Sequence, residues 1–301
     1  METSSVSLII ATFNHAQFLR EALDSALGQT LPGVDIVVVD DGSTDATPTV
    51  LAEYGDRIRS LRQPNRGLAA ARNAGLSLAR GTYVAFLDAD DVLASEKLAR
   101  QAAILDGDDR VGWTYCDVLM ADTSTGEVRP ASERFRYHHR RLDGWLFPEL
   151  ISGNFIPAIA PLIRRSVLDR AGWFDESLTA LEDWDLWLRL SLAAEARYQT
   201  DALATYRVHK DGMSQDRARM DRNRFWVVEK VARVNQPAML ALGSSGRRMI
   251  ADMQNWFGIE AYRRGDWVEA TRRLWASFRI FPWQKRAPLF LGVSVLRRWL
   301  A

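Results

Sequence analysis

The sequence predicts an α/β domain with a mixed, mainly parallel sheet and flanking helices, followed by an all-helical appendage. Three observations predict it. Short apolar runs alternate with stretches of helical spacing from residue 6 onward, the signature of strand–helix–strand units. Two of those runs end in clusters of aspartate, Asp40-Asp41 and Asp88-Ala89-Asp90-Asp91, at the strand ends where open α/β sheets hold ligands. From about residue 215 the strand pattern stops and helical spacing takes over.

The elements follow in order. Val6 to Phe13 is a continuous apolar run, as expected of a strand buried on both faces. Residues 15–29 bring Phe18, Ala22, Leu23, Ala26 and Leu27 to one helical face. Ile36 to Val39 is a second buried strand, Thr44 to Tyr54 a helix and Arg57 to Arg62 a short strand. Leu68 to Ala79 is an alanine-rich helix, and Thr82 to Leu87 is a strand that ends in the second acidic cluster. Val111 to Val118 is strand-like. Residues 121–143, polar and holding His138, His139 and several arginines, read as a long loop and not as a histidine metal pair. Ile156 to Ile163, with two prolines, reads as an edge strand. Leu181 to Ala194 is a helix and Tyr198 to Val208 a strand.

Bulk properties narrow the class. The chain has 301 residues, enough for one large domain or one domain with an appendage. The formal net charge is +1, but residues 1–214 carry about −9 and residues 215–301 about +10. Such a basic segment meets an anionic surface or is a solvated helical face. The single cysteine, Cys116, excludes an internal disulfide and reads as a small buried residue, which fits a reducing compartment. The N-terminus has no basic region followed by a long apolar one, so no secretory signal is expected. The apolar run Pro288 to Leu296 is far shorter than the ~20 residues of a membrane helix. A cytoplasmic protein, soluble or peripheral at the inner face of the membrane, is expected.

The first strand ends in Ala11-Thr12-Phe13-Asn14, without the glycine pattern of dinucleotide-binding enzymes, and no phosphate-binding loop of the Walker type is present. Asp88-Ala89-Asp90 is a DxD pattern. One or two carboxylates at a strand end suit Mg²⁺ or Mn²⁺, hard cations that keep waters and bridge to phosphates. In isolation the same acids would also suit a helix N-terminus.

The context is more specific. VSLIIATFNHAQFLREALDSALGQT, VDIVVVDDGSTDAT and NRGLAAARNAGLSLARGTYVAFLDADD, in that order over residues 6–91, resemble the inverting family 2 glycosyltransferases of GT-A fold. The likeness continues more loosely through Gly172-Trp173-Phe174-Asp175-Glu176, Glu182-Asp183 and Tyr206-Arg207-Val208-His209, about two thirds of the chain. The resemblance implies a GT-A catalytic domain over 1–214, with a nucleotide-binding half at 1–110 and an acceptor half at 111–214, and a helical region over 215–301. It implies a nucleotide-diphosphate sugar donor, with UDP as the first candidate, a divalent metal, and a glycan or lipid-linked hydroxyl acceptor in surface polysaccharide synthesis. No nucleic-acid partner is expected.

The same resemblance implies roles. Phe13, between Thr12 and Asn14, matches the aromatic residue that packs on the donor base, and Asp41 the acid that accepts from the base. Arg72 matches the arginine facing the nucleotide. Asp88 is the ribose-side member of the DxD pair and Asp90 the metal ligand. His209 completes the metal or diphosphate site, with Arg207 beside it. Glu182-Asp183 matches the catalytic-base element. Inversion is a single in-line displacement, so one carboxylate must take the acceptor's proton, a contribution of about 10²–10⁴-fold. Asp183 is the expected base, with Glu182 as neighbour and substitute. Trp173 and Trp184 are candidates for stacking on acceptor sugar, with core packing as the alternative.

In the helical region Gly258, Gly265, Ala270, Leu274 and Pro282 recur with the spacing of one tetratricopeptide-like hairpin, and Trp267, Ala270, Leu274, Phe278 and Phe281 form an apolar stripe. Lys285-Arg286 and Arg297-Arg298 flank the last apolar run, as an interfacial helix on anionic lipid would require; a helix docked on the body is the alternative. A sugar nucleotidyltransferase would need an N-terminal glycine-rich loop that is absent. A non-catalytic scaffold is disfavoured by the intact Asp88, Asp90 and Asp183.

Overall fold

The computed structural model describes residues 6–210 and 216–282. The chain divides into two compact units, Met1–Asp216 and Arg217–Ala301. The stretch carrying Lys285, Arg286, Arg297 and Arg298 lies outside the described residues.

The first unit is built on one mixed sheet. Strands β1 (Val6–Thr12), β2 (Asp35–Asp40), β3 (Arg59–Arg62) and β4 (Tyr83–Asp88) are parallel, in the order β3-β2-β1-β4. Helices α1 (Ala16–Leu27), α2 (Thr47–Tyr54) and α3 (Leu68–Leu78) connect them. Every residue of β1 is buried because β1 lies between two strands, and that position explains its unbroken apolar run. The polar β3 closes the edge. Helix α3 comes close to β1 at Gly75, where an added Cβ would stand 2.4 Å from Ile9 Cγ2.

The sheet continues through β5 (Val92–Leu93), β6 (Val111–Asp122), β7 (Val128–Pro130), β8 (Pro161–Arg164) and β9 (Glu195–Val208). Strand β8 is antiparallel to both β4 and β6, and β6 is parallel to β9. The carboxyl ends of β1, β2, β4, β6 and β9 therefore share one edge, which brings the Asp88 turn and the Arg207–His209 segment together. Both halves read from the sequence, 1–110 and 111–214, supply strands to this sheet.

Two sequence expectations are corrected here. Strand β8 is central and not an edge: Pro161 is its first residue, so the missing N–H falls at the strand end while Leu162 and Ile163 pair on both sides. Residues 121–143 are not one loop. Strand β6 runs on to Asp122 and turns back into β7, and helix α5 (Ala131–Arg134) follows. The turn is closed by Asp122 Oδ1, which accepts from Ser124 N at 2.8 Å and Thr125 N at 3.1 Å, and its polar residues mask the hairpin in the sequence. Helix α4 (Lys97–Gly107) and strand β5 have no counterpart among the sequence expectations. Helices α6 (Phe147–Leu150), α7 (Arg165–Ala171) and α8 (Glu182–Ala193) complete the unit. Cys116 is buried, as expected.

The second unit is helical throughout its described residues: α9 (Arg217–Val234), α10 (Gln236–Ala241), α11 (Gly243–Arg263) and α12 (Trp267–Ile280). The spacing of small residues marks the α11–α12 pair. Ala270 and Leu274 are buried, and Leu274 packs where Gly258 has no side chain. The turn uses Gly265 at φ 79°, and Asp266 caps α12 by accepting from Glu269 N at 3.0 Å. Ser277 Oγ ties the helices by donating to Ala251 O at 2.7 Å.

A Cβ on Gly258 would meet Leu274 Cγ at 2.6 Å and Leu274 N at 3.1 Å. Alanine normally stabilises a helix interior by about 1 kcal/mol over glycine. Here overpacking reverses the sign, and Gly258→Ala is expected to destabilise the helical unit by about 1–2 kcal/mol. Urea unfolding followed by tryptophan fluorescence measures it, and a midpoint equal to or above wild type would refute the close approach.

Candidate active site

The strand-end edge gathers the expected residues from four directions. At the end of β1, Phe13 is 43% exposed and is therefore not a core side chain. Asn14 follows at φ 56°, a left-handed conformation that asparagine tolerates. Its Oδ1 accepts from Thr44 N at 2.7 Å and Asp45 N at 3.3 Å, and its own N–H donates to Ser43 Oγ at 2.9 Å. Asn14 thus fastens the β1 end to the loop after β2. Thr12 is buried, and its carbonyl accepts from Asp41 N at 2.9 Å.

Asp41 is buried and its carboxylate is engaged. Oδ1 accepts from Gln63 Nε2 at 2.7 Å and Arg66 N at 3.0 Å, and Oδ2 from Gly67 N at 2.8 Å. In this arrangement it shapes the 63–67 loop at the head of α3.

The acidic turn after β4 divides its labour. Asp90 Oδ2 lies 2.9 Å from His209 Nε2, so the expected metal pair is brought together across the sheet edge. Asp88 takes a bond of 2.5 Å from Arg72 Nη2. Asp91 is fully buried and accepts from Arg207 N at 2.8 Å, which holds the end of β9 against this turn. Burial, then the charges of Asp90 and Asp88, push the Asp91 pKa well above the usual carboxylate range. The Arg207 guanidinium points elsewhere: it pairs with Glu21 on α1 and lies 5.7 Å from the centre of the Phe18 ring. The structure therefore brings His209 to the carboxylates but not the Arg207 side chain.

Arg72 is the hub. Only 2% of its side chain is exposed, and it donates to Asp88 and, through Nη1 at 2.7 Å, to Glu182 Oε1. Phe174 lies beneath it, 5.3 Å from ring centre to guanidinium carbon. Asp88, Glu182 and Asp183 all favour its charged form and hold its pKa above the ordinary arginine value despite burial.

Glu182 and Asp183 open α8, whose N-terminal dipole favours acids. The residue before them, Leu181, has φ 60°, a conformation that costs a leucine about 1 kcal/mol or more. Such local strain clusters at functional sites. Glu182 turns inward to Arg72. Asp183 remains partly exposed; its Oδ1 accepts from Trp184 N at 2.7 Å and its Oδ2 from Asn154 Nδ2 at 2.9 Å. Burial, then Glu182, pushes the Asp183 pKa up to about 7, against the opposing pull of Arg72, the Trp184 N–H and Asn154.

One of the two acceptor tryptophans is a correction. Trp184 is 1% exposed and donates to Leu150 O at 2.7 Å, so its ring has no free face for a sugar. Trp173 is only partly buried; it donates to Asp169 Oδ1 at 3.1 Å, and Arg165 lies over one face of its ring at 5.5 Å. Four further contributors, with no role expected from the sequence, emerge from the structure. Asn73 and Phe174 exchange two bonds, Asn73 Nδ2 to Phe174 O at 2.9 Å and Phe174 N to Asn73 Oδ1 at 3.0 Å. Glu176 joins Arg66 and Asn73 at 2.9 and 3.0 Å, and Asn154 reaches Asp183. The first three lie inside motifs visible in the sequence; Asn154 carries no signal there.

Among the described residues no three acidic, histidine or cysteine side chains close into a ready-made metal cage. The donor types at the turn nevertheless suit a hard cation of the Mg²⁺ or Mn²⁺ kind, for which one or two carboxylates with phosphate oxygens and water are the usual shell.

Comparison with known proteins identifies the family. The model of glycosyl transferase family 2 matches residues 7–170. An uncharacterized glycosyltransferase of Rickettsia prowazekii is 36% identical over 205 residues, 68% of this chain and 64% of that protein. The succinoglycan biosynthesis protein ExoO of Rhizobium meliloti is 32% identical over 210 residues, 68% of this chain and 60% of that protein. The chain thus spans slightly under two thirds of the length of these relatives. Among solved structures, residues 1–349 of TarS from S. aureus in complex with UDP-GlcNAc align with a TM-score of 0.66 at 19% identity, covering 95% of this chain and 84% of that one. The mannosyltransferase PcManGT from Pyrobaculum calidifontis, in complex with GDP-Man and Mn²⁺, aligns with a TM-score of 0.59 at 22% identity, covering 96% of this chain and 84% of that one. At those identities the likeness is one of fold.

Proposed function

Because the chain belongs to glycosyl transferase family 2, we propose that it transfers a sugar, with inversion, from a nucleotide-diphosphate donor to a hydroxyl of a glycan or lipid-linked acceptor in polysaccharide synthesis. The observation that carries this reading is the buried Arg72 bridge, which sets a donor-side carboxylate, Asp88, beside an acceptor-side pair, Glu182 and Asp183. The donor base rests on Phe13 near the loop that Asp41 shapes. UDP is the nucleotide to test first, with GDP beside it, since TarS is solved with UDP-GlcNAc and PcManGT with GDP-Man.

Asp183 is the base. It takes the acceptor proton as the hydroxyl oxygen attacks the anomeric carbon and the bond to the diphosphate breaks. Its neighbour Glu182 is committed to Arg72 and serves as counter-ion. When bound, Mn²⁺ or Mg²⁺ neutralises charge on the leaving diphosphate; Asp90 and His209, with Asp88 beside them, are the residues that would hold it. The helical unit is assigned to an anionic membrane face. Its segment is basic, and Trp226, Trp275, Val268 and Val234 are exposed, a mixture suited to the headgroup region. Among the described residues no helix is long and apolar enough to cross a membrane.

Three outcomes test this reading. Asp90→Asn is expected to lower nucleotide affinity about tenfold or more in Mn²⁺, because a neutral amide is a poor ligand for a hard cation. Calorimetry with UDP and GDP measures it, and unchanged affinity in metal removes Asp90 from the site.

Asp183→Asn is expected to keep donor affinity and lose about 10²-fold or more of turnover. In the wild type, the base works only when ionised, so kcat/KM rises with pH to a plateau, with an inflection near 7. The raised pKa also fixes the sign of its effect on stability. The folded state holds this proton more tightly than the unfolded one, so the stabilising contribution is full below about pH 4 and is lost as pH rises toward 7. The amide of Asp183→Asn cannot ionise, so the variant's stability should lack the decline that wild type shows between about pH 4 and 7. Turnover near wild type would overturn the assignment.

Full-length protein is expected to co-sediment with phosphatidylserine-containing vesicles at low salt and to be released at high salt, since about 1 kcal/mol per basic residue is screened within a Debye length. Binding to pure phosphatidylcholine alone, or no binding at all, would remove the membrane role.

A further inference from the structure

The segment between α6 and β8 meets the base at Asn154. Asn154 Nδ2 donates to Asp183 Oδ2 at 2.9 Å, and Asn154 Oδ1 accepts from Ile156 N at 3.2 Å. The second bond fixes which end of the amide faces the carboxylate, because an N–H donor cannot face another N–H. The segment itself is held from three sides. Tyr137 Oη donates to Phe155 O at 2.6 Å, Trp187 Nε1 to Ile156 O at 3.1 Å and Trp184 Nε1 to Leu150 O at 2.7 Å. Phe155 is buried between Tyr115 and Tyr137, with Arg140 over its ring at 4.7 Å. Helix α8 therefore anchors the very segment that returns to grip its own Asp183.

We propose that Asn154 is the positioning residue of the base, its amide N–H holding Asp183 Oδ2 so that the carboxylate presents a fixed edge to the acceptor hydroxyl. The inference rests on the assignment of Asp183 as base. With Trp184 N on Oδ1 and Asn154 on Oδ2, each oxygen has one protein donor and the carboxylate cannot rotate without breaking both. The charges facing Asp183 are Glu182 from α8 and Arg72 from α3, the latter shared with Asp88. Asn154 adds a neutral donor to this set, and such a donor favours the ionised carboxylate without adding a charge. An aspartate in place of Asn154 would keep the shape and the acceptor for Ile156 N, but would set one more carboxylate against Asp183.

The test is the pH profile of donor hydrolysis with Mn²⁺, using UDP-GlcNAc and GDP-mannose as probes and water as acceptor. In Asn154→Ala the acid limb of kcat is expected to move up by about one pH unit, with an unchanged donor KM. In Asn154→Asp, which preserves packing if the alanine variant folds poorly, the limb moves further in the same direction. Asn154→Ala added to Asp183→Asn changes the residual rate less than about twofold, because Asn154 acts through a group no longer there. An unmoved acid limb in both single variants, or full additivity in the double variant, overturns the proposal while leaving Asp183 as base. Near wild-type hydrolysis in Asp183→Asn alone would instead overturn the base assignment on which it rests.

Discussion

A buried guanidinium governs this site. Arg72 sits on α3 with almost no solvent contact, and a cation in that position must be paired to remain charged. Its two partners come from different places in the chain, Asp88 at the end of β4 and Glu182 at the start of α8. The pairing therefore sets a distance between the strand-end acids and the helix that bears Asp183. Buried ion pairs stabilise little against a well-packed apolar substitute, but losing one partner is costly. Their value here is registration. Asn73 extends the effect, because it fastens Phe174 beneath Arg72 and takes hold of Glu176, which also reaches Arg66 in the loop around Asp41.

A second constraint comes from the sheet. The reversed strand β8 lets β6 and β9 run parallel to the nucleotide-side strands, so β9 ends on the same edge as β4. Asp91 then receives the Arg207 N–H, and two residues later His209 meets Asp90. An acid buried among like charges is expensive, and its place in the turn is explained by that one backbone bond across 116 residues of chain.

The strands and helices up to residue 91 are legible in the sequence because periodicity and burial coincide there: β1, β2 and β4 are apolar along most of their length and lead into acids. The Asp90–His209 meeting follows from ordered motifs, whereas Arg72, expected to face the nucleotide, is instead buried and donates to Asp88 and Glu182. Much of the rest is hidden for physical reasons. The β6–β7 hairpin turns on Asp122, Ser124 and Thr125, polar residues that read as loop. Strand β8 is short and starts at a proline, so its central place depends on neighbours the local sequence does not reveal. Trp184 and Trp187 sit at helical spacing, which fits both a sugar platform and a core; their indole N–H bonds to Leu150 O and Ile156 O place them in the core.

The adjacency of Glu182 and Asp183 shows how far a motif reaches. In sequence Asp183 is the preferred base and Glu182 its substitute, but the motif itself does not separate the surroundings of the two acids. Successive side chains at the start of a helix point about 100° apart, so one can face the buried arginine while its neighbour cannot. The longer Glu182 reaches Arg72 and is neutralised there. Asp183 is left with two neutral donors, partial exposure and a pKa near neutrality, the condition under which a carboxylate is both ionised often enough and basic enough to remove a proton. The left-handed Leu181 immediately before them fixes where the helix begins, and with it which acid faces inward. The different surroundings of the two acids are thus set by the cation and the helix start together, neither of which the two-letter motif contains.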